Sequence, residues 1–449
     1  MRYLQIWDFI LGPVYIFIIY AMAKRRAGRK MENEPYYEYF ARGILFKMLG
    51  GVFFCLIYTV YYTGGDTTAY FESSVNITKL FFRNTSAFWQ IIFGGDPIEM
   101  FQYFDNYTGY PGYWRDPQSW QVVRWTSLLT FFGFRCYMLT TILLSAATYF
   151  GIWRLYKTFV YYFPQISKQL SYSVLLVPSV LFWGSGVLKD TFTLAAAGLL
   201  TYSFHRAIIL RKKIPSNVIL LLMCSSLIIS IKPYIFLGLV PGALLWMSYN
   251  NIKNITNPLL RFLIGPLVFL FILGLALIGY NQIKDQLGKY SSVDKILNKA
   301  SVTQKDLKQD YNEGNAFDIG EFDPTIGGIS SKFPVATFAG LFRPSIIDVK
   351  NVVMLLAAIE NSFLLFFTLY ILFRCGIRGS YSIIANEPIA FFALIFSVFF
   401  AFSVGLTTSN FGALVRYKIP AVPFYMSTLF IVHELYKKRK SIHTKNEIS

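Results

Sequence analysis

The chain has 449 residues, of which 55% are hydrophobic and only 15% are charged, against roughly 25% charged residues in an average soluble domain. It carries 42 Lys and Arg residues against 24 Asp and Glu residues, which gives a formal net charge of +18. This composition excludes a disordered chain, a disulfide-stapled scaffold and an ordinary cytosolic enzyme, and it predicts a polytopic membrane protein.

A helix that spans a membrane needs about 20 mostly apolar residues. Eleven runs of this kind follow one another, at about 4–23, 44–62, 136–156, 170–187, 191–209, 217–231, 234–249, 259–279, 351–373, 388–405 and 415–436. The first run has no signal-peptide cleavage pattern, so we expect it to be retained as a helix. The sequence therefore predicts an all-α protein in which residues 1–449 form a single transmembrane domain of about 11 helices.

Basic loops set the expected orientation, because Lys and Arg collect in short cytoplasmic loops. With eleven spans, all the basic segments fall on one side: 24–42, 154–168, 206–213, 253–261, 374–378 and 437–440. We therefore expect the N-terminus outside and the C-terminus inside. Most of the positive charge is explained by orientation and by contact with anionic membrane lipids. We expect no nucleic-acid partner, since no aromatic-basic RNA motif is present.

Two long segments are expected outside. Residues 63–135 are rich in aromatic residues and have apolar residues at helical spacing, which predicts amphipathic helices lying in the outer interface. Residues 280–350 form a more polar outer loop. Neither segment is long enough for a separate soluble domain, so we treat both as parts of the membrane domain.

Unusual charges lie at the outer ends of the predicted spans, where a charge close to hydrocarbon usually pairs or binds something. They are Asp66, Lys189, Asp190, Lys232, Arg343 and Arg416. Glu360 differs, since it falls inside the predicted span 351–373. It either pairs with a basic residue or belongs to a functional site, and we assign it to substrate binding.

Asp66 follows two glycines in the stretch GGDTTAYF, which lets a ligand approach the backbone closely. Its carboxylate is suited to act as a general base or to bind a divalent metal ion. The alternative is a helix N-cap, because Asp favours that position and a helix start follows. We assign Asp66 to catalysis and Tyr70, in the same stretch, to substrate binding.

The basic residues of the outer ends suit an anionic group. Lys189 and Asp190 either form an ion pair at a tight turn or present Lys189 to a substrate anion. Lys232 either reaches the interface or binds substrate. Arg343 and Arg416 offer planar guanidinium groups that fit phosphate or diphosphate. We assign all five residues to substrate binding.

Four stretches resemble bacterial polytopic GT-C-type glycosyltransferases and Wzy-like polysaccharide polymerases: GGDTTAYF, PSVLFWGSGVLKD, LFRPSIIDVKNVVMLLAAIEN and SNFGALVRYKIPAVPF. The GT-C resemblance implies a polyprenyl-phosphate or diphosphate sugar donor, with Asp66 as base or metal ligand. The Wzy resemblance implies that Arg343 and Arg416 hold a diphosphate. An extra leading helix departs from the GT-C pattern. No second acidic residue lies beside Asp66, which argues against a metal site there.

These observations predict an integral membrane glycosyltransferase or oligosaccharide polymerase that acts at the extracytoplasmic face of the bacterial inner membrane. Its partners would be a polyprenyl-linked sugar, a glycan acceptor and membrane lipids, and its product a cell-envelope glycan. Two alternatives stay open. One is a transporter or flippase of lipid-linked or anionic solutes, and the other is a structural membrane component of an envelope complex.

Overall fold

The structure of the protein is a computed structural model. It describes residues 3–253, 302, 317–320, 322–323, 325–350 and 352–448. Every regular element in these ranges is helical, which confirms the predicted all-α class for this part of the chain. The predicted span 259–279 and residues 280–301 and 303–316 of the predicted outer loop lie outside the described residues.

The α-helices are, in chain order, α1 (Ile6–Met31), α2 (Glu38–Leu56), α3 (Asp66–Arg83), α4 (Thr85–Ile92), α5 (Pro97–Met100), α6 (Pro117–Phe132), α7 (Tyr137–Tyr162), α8 (Ser167–Val174), α9 (Pro178–Trp183), α10 (Lys189–Phe204), α11 (Ile214–Ile231), α12 (Pro233–Lys253), α13 (Ile326–Ser331), α14 (Phe333–Phe342), α15 (Val352–Ala385), α16 (Pro388–Thr407), α17 (Phe411–Tyr417) and α18 (Val422–Ile448). Short π-helical turns extend α2 and α10 to Tyr61 and Ile209.

Seven helical stretches of the described residues are long and apolar enough to cross a membrane: Ile6–Met31, Pro35–Tyr61, Tyr137–Tyr162, Lys189–Ile209, Ile214–Ile231, Met354–Ala385 and Pro388–Thr407. Each overlaps one of the predicted spans, because both depend on the same long apolar runs. A multi-pass membrane protein follows from these helices. The count of eleven spans and the orientation stay predictions.

Two of the predicted spans are each divided into two helices. The predicted span 170–187 is replaced by α8 and α9, and α9 begins at Pro178. The predicted span 415–436 is replaced by α17 and α18, with turns at 418–421 between them. Proline explains both breaks, because Pro178 and Pro420 lack the N–H that a continuous helix would need.

The chain forms two compact units. The first unit comprises Met1–Lys157, Leu175–Ser203 and Ile219–Lys232, and the second comprises Thr158–Val174, Phe204–Val218 and Pro233–Ser449. The predicted outer segment 63–135 forms α3 to α6, within the first unit.

Small residues allow close helix packing inside the second unit. A Cβ atom at Gly340 of α14 would collide with the backbone of Ala401 in α16. A Cβ atom at Gly405 of α16 would in turn collide with the backbone of Ala336 in α14. Helices in membranes associate through such small residues, because lipid gives no hydrophobic drive toward helix association.

Hydroxyl groups join α3 to α6 within the first unit. The Ser74 hydroxyl donates to the carbonyl oxygen of Val123 at 2.9 Å, and the Thr78 hydroxyl donates to that of Ser127 at 3.0 Å. These residues are four apart on both helices, so they share one face of each. This pairing fixes the start of α3, and with it Asp66, against the loop that precedes α6.

Candidate functional site

Asp66 is the first residue of α3, and its side chain is exposed. Gly64 and Gly65 before it have φ angles of +143° and +142°, which favour glycine. Gly65 occupies the N-cap position, and its N–H donates to the Thr68 hydroxyl at 3.1 Å. The predicted helix start is therefore correct, but the cap is Gly65, and the carboxylate of Asp66 lies at the positive end of the helix dipole.

A tyrosine contacts the carboxylate from the loop before α6. The Tyr113 hydroxyl donates to Oδ1 of Asp66 at 3.2 Å. The Tyr113 ring packs against the buried Tyr70, with 4.7 Å between ring centroids. The hydroxyl of Tyr70 lies 3.2 Å from Oγ of Ser119. Tyr70 therefore supports the ring that orients Asp66, and its hydroxyl faces α6.

Asp116 joins this chain of contacts to a lysine. It caps α6 by accepting from the N–H of Gln118, and Oδ2 accepts from the Ser119 hydroxyl at 2.5 Å and from Nζ of Lys189 at 3.2 Å. Partial burial raises the pKa of Asp116, but the Ser119 hydrogen bond and the charge of Lys189 outweigh burial, so its pKa lies below the usual range. Asp116 is therefore ionised at neutral pH.

Lys189 and Asp190 are adjacent at the start of α10, and each pairs with another residue. Lys189 pairs with Asp116, while the fully buried Asp190 forms an ion pair with Lys232, which is 6% exposed. The sequence offered an ion pair between the neighbours Lys189 and Asp190 as one alternative. In the structure, each of them instead pairs with a residue that is distant in the sequence. The charges of Asp66 and Lys232 also act on Lys189.

The first unit thus brings five sequence-predicted residues into one network: Asp66, Tyr70, Lys189, Asp190 and Lys232. Lys189 and Lys232 each have a carboxylate partner, so the network is not a cluster of unneutralised cations. It presents the exposed carboxylate of Asp66 near the half-buried Lys189. Sequence reasoning missed Tyr113, Asp116 and Ser119. The Asp116–Pro117 pair was a readable signal, since Asp before Pro is typical of a helix start.

Arg343 belongs to the second unit and is held in a defined pose. Its guanidinium group forms two hydrogen bonds to Asp348, at 3.2 Å and 2.5 Å. It also lies over the rings of Phe317 and Phe411, at 5.2 Å and 5.0 Å from their centroids. Asp348 accepts a further hydrogen bond from the N–H of Ser345 at 2.8 Å. The planar fork therefore has a carboxylate partner and an aromatic support.

A buried lysine fixes the backbone around Arg343. Nζ of Lys418 donates to the carbonyl oxygens of Leu341 and Arg343, both at 3.1 Å, and to Oδ1 of Asn361 at 2.5 Å. The side-chain amide of Asn361 donates to the carbonyl oxygen of Pro344 at 2.9 Å. Lys418 and Asn361 thus hold the turn that carries Arg343. Sequence reasoning gave neither residue this role, because burial of a lysine is set by distant residues.

The two remaining predicted residues also lie in the second unit. Glu360 is half-buried in α15, and its charge acts on Lys418. Arg416 is half-buried in α17, and its guanidinium group lies 5.7 Å from the centroid of the Tyr417 ring. Glu360 therefore contributes to the charge balance of Lys418, and its assignment to substrate binding stays a prediction.

Comparison with known proteins adds no family. No family model, no curated protein and no solved structure matches the chain. The resemblance to GT-C-type glycosyltransferases and Wzy-like polymerases therefore stays an expectation carried by four short stretches.

A divalent metal ion at Asp66 is one option that the sequence offers. In the part of the chain that the structure describes, no group of three or more His, Cys, Asp or Glu side chains could hold a metal ion. A cation at Asp66 would therefore take most of its ligands from substrate oxygens or water.

The Arg343–Asp348 pair predicts a pH-dependent stability. Partial burial raises the pKa of Asp348, but hydrogen bonds from Arg343 and Ser345 outweigh burial, so its pKa lies below the usual range. Because the pKa of Asp348 is lower in the folded state than in the unfolded state, where it is about 3.9, the ionised carboxylate stabilises the folded protein above about pH 3.9. This stability is lost as the pH falls through the pKa of Asp348 in the folded state. We expect Asp348→Asn to cost about 1–3 kcal/mol at neutral pH.

Thermal melts of the purified protein and of Asp348→Asn across acidic and neutral pH measure this effect. The difference in melting temperature should be constant above about pH 5 and should shrink below about pH 4. A difference that stays the same over the whole range would show that Asp348 contributes through packing and not through its charge.

Proposed function

We propose that this protein is an integral membrane glycosyltransferase or oligosaccharide polymerase that uses a polyprenyl-phosphate-linked sugar, in the bacterial inner membrane, at the extracytoplasmic face. The observation that carries the proposal is the exposed carboxylate of Asp66, oriented by Tyr113 and close to the charge of Lys189. A positioned carboxylate beside a cation in a membrane protein suits proton transfer next to a phosphate leaving group.

The proposed reaction uses Asp66 as the general base. Asp66 accepts the proton of an acceptor hydroxyl, whose oxygen attacks the anomeric carbon of the donor sugar. The bond between that carbon and the phosphate oxygen breaks, and its electron pair leaves with the polyprenyl phosphate or diphosphate. Lys189 stabilises the negative charge that develops on the leaving oxygen. Asp116 holds Lys189 in place through their ion pair.

In this proposal, Lys232 and Asp190 position other residues and do not contact the substrate. Both are buried and paired with each other, so we propose that they hold the start of α10, where Lys189 lies. In the second unit, Arg343 and Arg416 keep their proposed affinity for phosphate. Asp348 accepts hydrogen bonds from Nε and Nη2 of Arg343, so a phosphate that binds this same edge of the guanidinium group must displace Asp348.

The test is a transfer assay with the purified full-length protein in proteoliposomes. The probe is a polyprenyl-diphosphate oligosaccharide, extracted from the source membranes and radiolabelled in the sugar. We expect label to move from the lipid into a larger glycan, with release of polyprenyl diphosphate. Liposomes without the protein are the control. If the lipid-linked sugar stays intact in the proteoliposomes, and their products equal those of the control, the proposed transfer is wrong.

A second function, the movement of lipid-linked or anionic solutes across the membrane, is favoured by one observation. The predicted span 170–187 is broken, and residues 184–188 between α9 and α10 are buried without regular helical structure. Transporters place such broken helices at their binding sites. The same proteoliposomes distinguish the two functions, because transport moves the intact labelled lipid to the other leaflet and leaves its sugar–phosphate bond unbroken.

A further inference from the structure

The second unit contains a cavity of about 440 Å³ between residues 370–374 of α15 and residues 433–441 of α18. Its lining is basic and aromatic, with Tyr370, Arg374, His433, Tyr436, Lys437 and Lys440. None of the described residues that line it is acidic. A cavity whose described lining includes the cationic side chains of Arg374 and Lys437 and no carboxylate is suited to an anion.

The side chains of the cavity act on one another. The guanidinium group of Arg374 lies 5.8 Å from the centroid of the Tyr370 ring, and that ring lies 5.6 Å from the ring of His433. The charges of Lys437 and Arg374 both act on His433. Glu434 also acts on His433, but it does not line the cavity. The cavity therefore concentrates positive charge around an aromatic wall.

The position along the chain indicates where this anion comes from. The apolar runs 351–373 and 415–436 end immediately before Arg374 and Lys437, although α15 and α18 continue past these residues, and the predicted orientation places both ends of the runs on the cytoplasmic side. A basic pocket between helices at that depth lies at the level of lipid headgroups. We propose that the cavity binds a phosphate group, supplied by the headgroup of an anionic lipid of the cytoplasmic leaflet. This site is independent of the proposed sugar transfer.

The test measures lipid binding by native mass spectrometry of the delipidated full-length protein. The probes are phosphatidylglycerol, phosphatidylcholine and, separately, inorganic phosphate. We expect phosphatidylglycerol to bind more tightly than phosphatidylcholine. The double variant Arg374→Gln/Lys437→Gln should weaken phosphatidylglycerol binding about 30-fold, which corresponds to ~1 kcal/mol for each basic residue near the membrane surface. Both side chains are exposed, so the variant should fold normally.

The matched control is Lys438→Gln/Arg439→Gln, which removes the same charge from the same helix outside the cavity. It should leave phosphatidylglycerol binding nearly unchanged. An equal loss in the control would overturn the proposal, since only the total charge of the tail would then matter. Equal binding of the two lipids, with no binding of inorganic phosphate, would overturn it as well. Binding of inorganic phosphate alone, lost in the cavity variant, would support the phosphate site and overturn its assignment to a lipid.

Discussion

Replacing Asp66 by Asn should abolish sugar transfer by the reconstituted protein. The amide keeps the size of the side chain but cannot accept the proton of the acceptor hydroxyl. Loss of a positioned general base typically lowers a rate by roughly 10²–10⁴-fold, and we expect a loss in that range. Because Asp66 is exposed, its replacement should leave the melting temperature close to that of the wild type.

The matched control for this variant is Glu99→Gln. Glu99 is an exposed carboxylate in α5, in the same segment 63–135, so its replacement removes equal charge without touching the network around Asp66. We expect its transfer rate to equal that of the wild type. Full activity of Asp66→Asn would remove Asp66 from catalysis, and equal losses in both variants would point to the charge of the segment instead.

The second large effect concerns stability and the buried pair of Asp190 and Lys232. The replacement Asp190→Asn leaves the ammonium group of Lys232 buried without its carboxylate, since Asp190 is fully buried and Lys232 is 6% exposed. Breaking a buried ion pair from one side typically costs about 3–5 kcal/mol, and we expect that loss in the free energy of unfolding. Denaturation of the purified protein by SDS titration measures it.

An exposed ion pair of the same unit provides the comparison. Arg83 and Asp105 lie 3.3 Å apart, with side chains 65% and 39% exposed, so Arg83→Gln should lower the free energy of unfolding far less than Asp190→Asn does. The double variant Asp190→Leu/Lys232→Met should regain most of the stability, because apolar replacements leave no buried charge. If the loss of stability in the double variant equalled the sum of the losses in Asp190→Leu alone and Lys232→Met alone, the pair would not be the source of the stability.

Apolar runs predicted much of the helical framework. Seven predicted spans overlap described helical stretches that are long and apolar enough to cross a membrane, because a run of about 20 apolar residues is a local property of the sequence. The helix breaks at Pro178 and Pro420 could not be predicted from the sequence alone, since a proline inside an apolar run either kinks a helix or ends it. Which of these happens depends on how neighbouring helices satisfy the released backbone groups.

The candidate site was predictable as a set of residues but not as a set of contacts. Two glycines before an aspartate marked Asp66, whereas its partner Tyr113 lies 47 residues later and carries no local signal. The pair of Lys189 and Asp116 joins residues 73 positions apart. For Lys189 and Asp190, the sequence therefore offered only a pair between these neighbours or contact with a substrate anion, because local spacing contains no information about such distant partners.

One charge inside a predicted span was overlooked. Lys47 lies in the predicted span 44–62 and is 1% exposed. Its ammonium group donates to the carbonyl oxygen of Gly184, at the end of α9. A lysine near the C-terminal carbonyls of a helix is stabilised by the helix dipole. Lys47 therefore supports the turn between α9 and α10, which leads to Lys189.

The most direct measurement is a cryo-EM map of the full-length protein with a non-hydrolysable polyprenyl phosphonate sugar. We expect the phosphonate density within hydrogen-bond distance of Nζ of Lys189, about 3 Å, and the sugar beside the carboxylate of Asp66. Density for the lipid and its sugar only at other parts of the protein, with none beside Asp66 and Lys189, would contradict a transfer site in this network.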